Sequence, residues 1–180
     1  MIVCRLSVYR RVLSLIVCRQ NVYRRVFRQV MQLIKGACKE RVYPVGRLDR
    51  NTTGLLLFTN DGDLAKKLVH PKHGVRKIYH VTLDKKLAKH HLNAIAEGVE
   101  LEDGPTPVDS VSYIDGSPHD QVGIELHIGR NRIVRRIFES LGYQVVHLDR
   151  VVFGNLTKKD VKRGSWKHLD KKELELLRML

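Results

Sequence analysis

The clearest hydrophobic block in the chain is Leu55-Leu56-Leu57-Phe58, set between Gly54 and the turn Asn60-Asp61-Gly62. A short, continuous apolar run bounded by turn residues predicts a strand buried on both faces. Ahead of it lies a polar loop, Gly46-Arg47-Leu48-Asp49-Arg50-Asn51-Thr52-Thr53-Gly54. Farther on, Arg76 to Leu83 alternates Ile78, His80 and Thr82 with Tyr79, Val81 and Leu83, the period of a half-buried strand with Tyr79 facing inward. Val145 to Phe153 reads as another strand, and Val108–Ile114 and Val122–Ile128, joined through Asp115-Gly116, read as a hairpin beside the strand that follows the polar loop.

Helical periods fill the remainder. Val30 to Ile34 predicts a short helix ending near Gly36, and Asp61 or Asp63 caps a helix over Leu64, Lys67 and Leu68 that Pro71 stops. A helix from Ala88 to Glu97 ends at Gly98. Apolar residues 133, 134, 137, 138 and 141 form one helix face, closed by Gly142. Asp170 and Glu173 make a capping box for a helix running to Leu180. Strands outnumber helices and mix with them irregularly, which predicts an α+β fold: a mixed, mostly antiparallel sheet flanked by helices.

Composition sharpens the picture in two places. The net charge of +14 over 180 residues points to a polyanionic partner, and no apolar stretch is long enough to span a membrane. Residues 1–38 carry eight basic groups and no acid, and within them Ile2–Val12 recurs almost unchanged at Ile16–Val26. Such a segment is a poor candidate for a buried strand, so residues 1–29 are expected outside the core as a helix or loosely held arm. Cys4, Cys18 and Cys38 lack the paired spacing of a zinc site or a disulfide framework, and Pro71 between His70 and His73 breaks the face a metal would need. No metal is expected, and the histidines are assigned to the vicinity of the polyanionic partner.

The polar loop resembles the catalytic motif of the RsuA/RluB group of ribosomal RNA pseudouridine synthases. The similarity continues through Thr59-Asn60-Asp61-Gly62-Asp63-Leu64-Ala65, His70-Pro71, Lys77-Ile78-Tyr79-His80-Val81, Gly129 to Arg136 and Lys162 to Lys167. It runs from about Val30 to the C-terminus and fails before it, where relatives carry an opening strand with an Asn-Lys-Pro-x-Gly motif and often a small S4 domain. The expectation is therefore an anomalous segment 1–29 followed by a catalytic domain 30–180 that is incomplete at its N-terminal end.

The resemblance implies isomerisation of uridine to pseudouridine in ribosomal RNA, without a cofactor, by a cytoplasmic monomer. The wording Arg130-Asn131-Arg132 to Arg135-Arg136 is closer to the large-subunit members. Asp49 falls at the catalytic position; Arg47 and Arg50 beside it favour its ionised form, as either nucleophile or base requires. By the same match Arg135 pairs with Asp49, Tyr79 lies under the target base, and Leu148 packs on the base's other face. Arg47 holds the gap left by a flipped nucleotide, and Arg130, Asn131, Arg132 and Arg136 contact RNA, with the Lys158 to Arg163 run adding phosphate contacts. The alternative is a basic RNA-binding protein without catalysis, derived from a truncated synthase.

Overall fold

The computed structural model describes residues 13–18, 31–159 and 161–180. Its main sheet has nine strands: β1 (Leu13–Cys18), β2 (Tyr43–Pro44), β3 (Thr52–Thr59), β4 (Lys77–Leu83), β7 (Ser110–Tyr113), β8 (Gln121–Leu126), β9 (Val145–Phe153), β10 (Leu156–Thr157) and β11 (Trp166–His168). The central path runs β11-β1-β3-β9-β4-β8-β7, with β2 and β10 attached at β3 and β9. Only β3 and β9 pair in parallel; every other pairing is antiparallel. A separate hairpin joins β5 (Val99–Leu101) to β6 (Gly104–Thr106).

Four α-helices lie among the described residues: α1 (Gly62–Val69), α2 (Lys89–Glu97), α3 (Ile133–Ser140) and α4 (Lys171–Met179). The side chain of Asp61 caps α1 by accepting from Leu64 N at 3.1 Å. Both halves of the Asp170–Glu173 capping box form at α4. Residues 31–33 are helical and turn off at Gly36, whose φ is +86°. These ends follow from local chemistry, because each satisfies backbone groups that the helix leaves unpaired.

β3 is buried along nearly its whole length because it has a core on each side. Leu55 and Leu57 join Leu64 and Leu68 of α1, Phe153 of β9 and Leu177 of α4; Leu56 and Phe58 pack against Ile34 and Val42 on the other face. A second large core lies under α2 and α3, where Ile95, Ile137 and Phe138 meet Val81, Ile124 and Leu148. Gly54 sits opposite Arg150 where β3 and β9 pair in parallel. Its φ of +116° and its closeness to Arg150, whose backbone a Cβ would overlap, leave room only for glycine.

Two expectations are corrected here. Leu13–Cys18 is an interior strand, pairing with β3 through six residues and with β11 through three, and not part of an arm outside the core. The reason is local: Leu-Ser-Leu-Ile-Val-Cys is itself uncharged, and the arginines fall on either side of it. The rest of the predicted arm, residues 1–12 and 19–29, lies outside the described residues, as does Val30 of the predicted helix. The β7–β8 hairpin is not beside β3, since β4 and β9 stand between them.

Candidate active site

The polar loop leaves β2 and closes on itself before β3, with Thr52 N donating to Asp49 O at 2.9 Å. Val45 N donates to Leu57 O at 2.8 Å, so the start of the loop is tied to the strand it precedes. Asp49 is half-buried at the rim of a cleft of about 260 Å³, with Arg47 exposed beside it. Tyr79 and Leu148 also line the cleft from adjacent strands. Leu148 lies opposite Val81, two residues along β4 from Tyr79, so alternation puts all three side chains on one face. A flat ring can therefore meet an aromatic and an aliphatic surface near a carboxylate.

The other wall is the segment Ile128 to Val134, which contributes Arg130, Asn131 and Arg132. Arg132 has a φ of +48°, the one positive φ outside glycine among the described residues, and Arg132 Nη2 lies 3.2 Å from Glu139 Oε1. A left-handed arginine costs free energy and persists only where its surroundings fix it. Arg130 supplies part of that fixation through hydrogen bonds to the β5–β6 hairpin.

Seven of the nine predicted site residues thus line one cleft, and two do not. Arg135 stands behind it, 6% exposed, donating through Nη1 to Val145 O at 2.7 Å and through Nη2 to Asn51 O at 2.8 Å. The expected two-bond pair with Asp49 is replaced by these carbonyl contacts, so Arg135 braces the loop and acts on Asp49 through space. Burial, then the neighbouring Arg132 charge, lowers the Arg135 pKa, while Asp49 and Glu139 oppose the shift. Arg136 turns away from the cleft to Asp103, 2.5 Å from its Nη2. Lys158 is likewise engaged, by Asp149, whereas Lys159, Lys162 and Arg163 are exposed.

Three further polar side chains line the cleft that the pattern does not single out: Thr52, Lys77 and Arg150, each more than nine-tenths buried. Arg150 donates through Nε and Nη2 to Leu55 O at 2.9 and 2.6 Å, stapling β9 to β3, and lies 4.9 Å from the Phe153 ring centre. Lys77 Nζ donates to Val75 O at 2.7 Å and His127 O at 2.9 Å. Burial, then the charge of Arg150, lowers the Lys77 pKa to about 8. The signal was available: Lys77 shares strand parity with Tyr79, and Arg150 with Leu148. His70 accepts from Lys72 N at 3.2 Å, and no His, Cys, Asp and Glu cluster suited to a metal occurs among the described residues.

The α+β sheet, with its central parallel pair, carries a cleft that brings together a carboxylate, an aromatic ring and a basic wall. The chain belongs to the RNA pseudouridylate synthase family, whose model matches residues 16–140. It is 44% identical over 138 residues to a ribosomal large subunit pseudouridine synthase B of Yersinia pestis, covering 76% of this chain and 43% of that protein. It is 36% identical over 152 residues to an uncharacterized RNA pseudouridine synthase of Aquifex aeolicus, covering 83% and 60%. A solved pseudouridylate synthase superposes with a TM-score of 0.80 at 28% identity, over 93% of this chain and 74% of that one. The chain thus spans less than two thirds of either sequence relative. The family match begins within β1, in the segment expected to lie outside the domain.

Proposed function

We propose that this chain converts a uridine of ribosomal RNA, in the large subunit, to pseudouridine. The reading rests on one observation: Asp49, Tyr79 and Leu148, from three separate segments, line a single cleft with a basic wall. The reaction breaks the bond between ribose C1′ and N1 of uracil, turns the base and joins C5 to C1′. The C5 proton is lost and N1 gains one, so no group leaves and no cofactor is consumed. The carboxylate of Asp49 serves against the sugar, as nucleophile at C1′ or as base on a sugar proton. Tyr79 and Leu148 flank the base, and the Tyr79 hydroxyl is the group suited to assist loss of the C5 proton.

A stacked uridine cannot reach a carboxylate inside a cleft, so the substrate nucleotide is unpaired or flipped. Exposed Arg47 is the side chain suited to occupy the vacated position. Arg130, Asn131 and Arg132 lie along the path of the strand, and the excess positive charge draws RNA in. The enzyme works as a monomer in the cytoplasm.

Release of tritium from RNA labelled at C5 of uridine tests the proposal. Release with large-subunit ribosomal RNA, lost in Asp49→Asn, is the expected result. Binding of that RNA without release would leave a non-catalytic RNA-binding protein as the better description.

A further inference from the structure

Two of the three arginines expected to meet RNA on the α3 side, Arg130 and Arg136, converge on one carboxylate of the protein itself. Arg136 grips Asp103 with both ends of its fork, Nη1 to Oδ2 at 2.9 Å and Nη2 to Oδ1 at 2.5 Å. Arg130 Nη1 lies 3.4 Å from Asp103 Oδ1. Arg130 also donates to Gly104 O at 3.2 Å, Thr106 Oγ1 at 3.4 Å and Pro105 O at 3.1 Å. Asp103 sits in the two-residue turn between β5 and β6, and its side chain is 44% exposed.

Three features distinguish this from a structural tie. A guanidinium fork that accepts two carboxylate oxygens accepts two phosphate oxygens in the same geometry. Arg130 keeps three neutral acceptors when Asp103 is taken away, so its position does not depend on the carboxylate. The Asp103 carboxylate is open to solvent, so a phosphate can take its place by exchanging one anion for another, without leaving a buried charge unpaired. The site is also beside the cleft, since Arg130 is both a cleft-lining residue and a member of the cluster.

We propose that Asp103 occupies a phosphate site formed by Arg130 and Arg136 on the cleft rim, and that a backbone phosphate of the entering RNA displaces it. This rests on RNA being the substrate class. Asp103 thereby masks a charge pair that would hold any polyanion, and opens it only to a strand that also fits the cleft. The hydrogen bonds from Arg136 hold the Asp103 carboxyl at about 2, so the mask stays ionised at working pH and must be removed by substitution.

The test is the affinity of the intact chain for a fluorescently labelled single-stranded RNA containing unpaired uridines, measured by anisotropy across a salt series. Asp103→Asn should bind several-fold tighter at low salt, with the slope of log affinity against log salt steeper by about 0.7, the increment for one single-strand phosphate. Arg136→Gln should weaken wild-type binding modestly, since it removes half of the displaced site, and should erase the gain in Asp103→Asn. Glu102→Gln removes the same charge next door, which acts on Arg136 only through space, and should give a smaller gain that partly survives Arg136→Gln. Unchanged or weaker binding by Asp103→Asn, or an equal gain from Glu102→Gln, would overturn the proposal while leaving the enzyme assignment intact. A wild-type chain that binds no RNA would sink both.

Discussion

Arg135 Nη2 donates to the carbonyl oxygen of Asn51 at 2.8 Å, so a buried guanidinium braces the loop of Asp49 from the side opposite the cleft. The same side chain reaches Val145 O, at the start of the strand that carries Leu148. One arginine therefore fixes the relation between the carboxylate and one wall of the base site. Its hydrogen bonds set the position, and the charge of Asp49 acts in turn on the guanidinium.

Asp49→Asn should abolish isomerisation while leaving RNA affinity within a few-fold, because the amide keeps the shape and loses the charge. Near-normal tritium release by this variant would remove Asp49 from the mechanism.

Arg135→Ala should remove most activity and lower stability by about 3 kcal/mol, since two buried carbonyls lose a charged donor. Urea unfolding measures the second effect. A stable, active variant would show that the brace is dispensable. An inactive variant of unchanged stability would instead assign Arg135 a purely electrostatic part.

Much of this architecture is legible in the sequence because it is set locally. Val145–Phe153 forms as read, and Asp61, Gly98, Gly142 and the Asp170–Glu173 box end their helices where their chemistry demands. What was not legible depends on distant partners. Arg136 meets an acid 33 positions away, and Arg150 meets a carbonyl 95 positions away, so neither could be told from a solvated arginine by spacing. β1 was lost for a different reason. Its flanks are strongly basic, and they hide six central residues that carry no charge.

The interior position of β1 reverses the effect expected from its removal. Ile16 pairs with Leu56 on one side and Trp166 on the other, and a proline there removes a ladder donor and distorts an interior strand. Ile16→Pro should therefore cost about 3 kcal/mol or more, and deleting residues 1–29 should unfold the chain or nearly so. Thermal unfolding of both variants decides the matter, and a deletion variant as stable as the intact chain would show that β1 contributes nothing.

Gly54→Ala joins two penalties, a φ of +116° that a side chain resists and an overlap with the Arg150 backbone. Backbone cannot move aside as a flexible side chain can. The loss should exceed the roughly 1 kcal/mol typical of an exposed Gly-to-Ala misfit and reach about 3 kcal/mol, with the parallel pairing of β3 and β9 displaced. A shift of the denaturation midpoint too small to measure would mean the two strands separate without cost.

Lys77 supplies the pH dependence. Its folded-state pKa is lowered from 10.5 to about 8, by burial first and then by the charge of Arg150. Below about 8 the amine is charged in folded and unfolded chains alike, and the cost of burying that charge is fully present. Between about 8 and 10.5 the unfolded chain binds more protons than the folded one, so this group makes stability rise with pH across that window. Lys77→Met removes the titration, although it also leaves the carbonyls of Val75 and His127 without their donor and so lowers stability overall. The informative quantity is therefore the difference between the two proteins as a function of pH. Urea midpoints at half-unit steps from pH 7 to 10 should show the wild type gaining on Lys77→Met as pH rises past 8. Parallel curves would mean that Lys77 has an ordinary pKa, and that the cleft floor carries its full positive charge throughout this range.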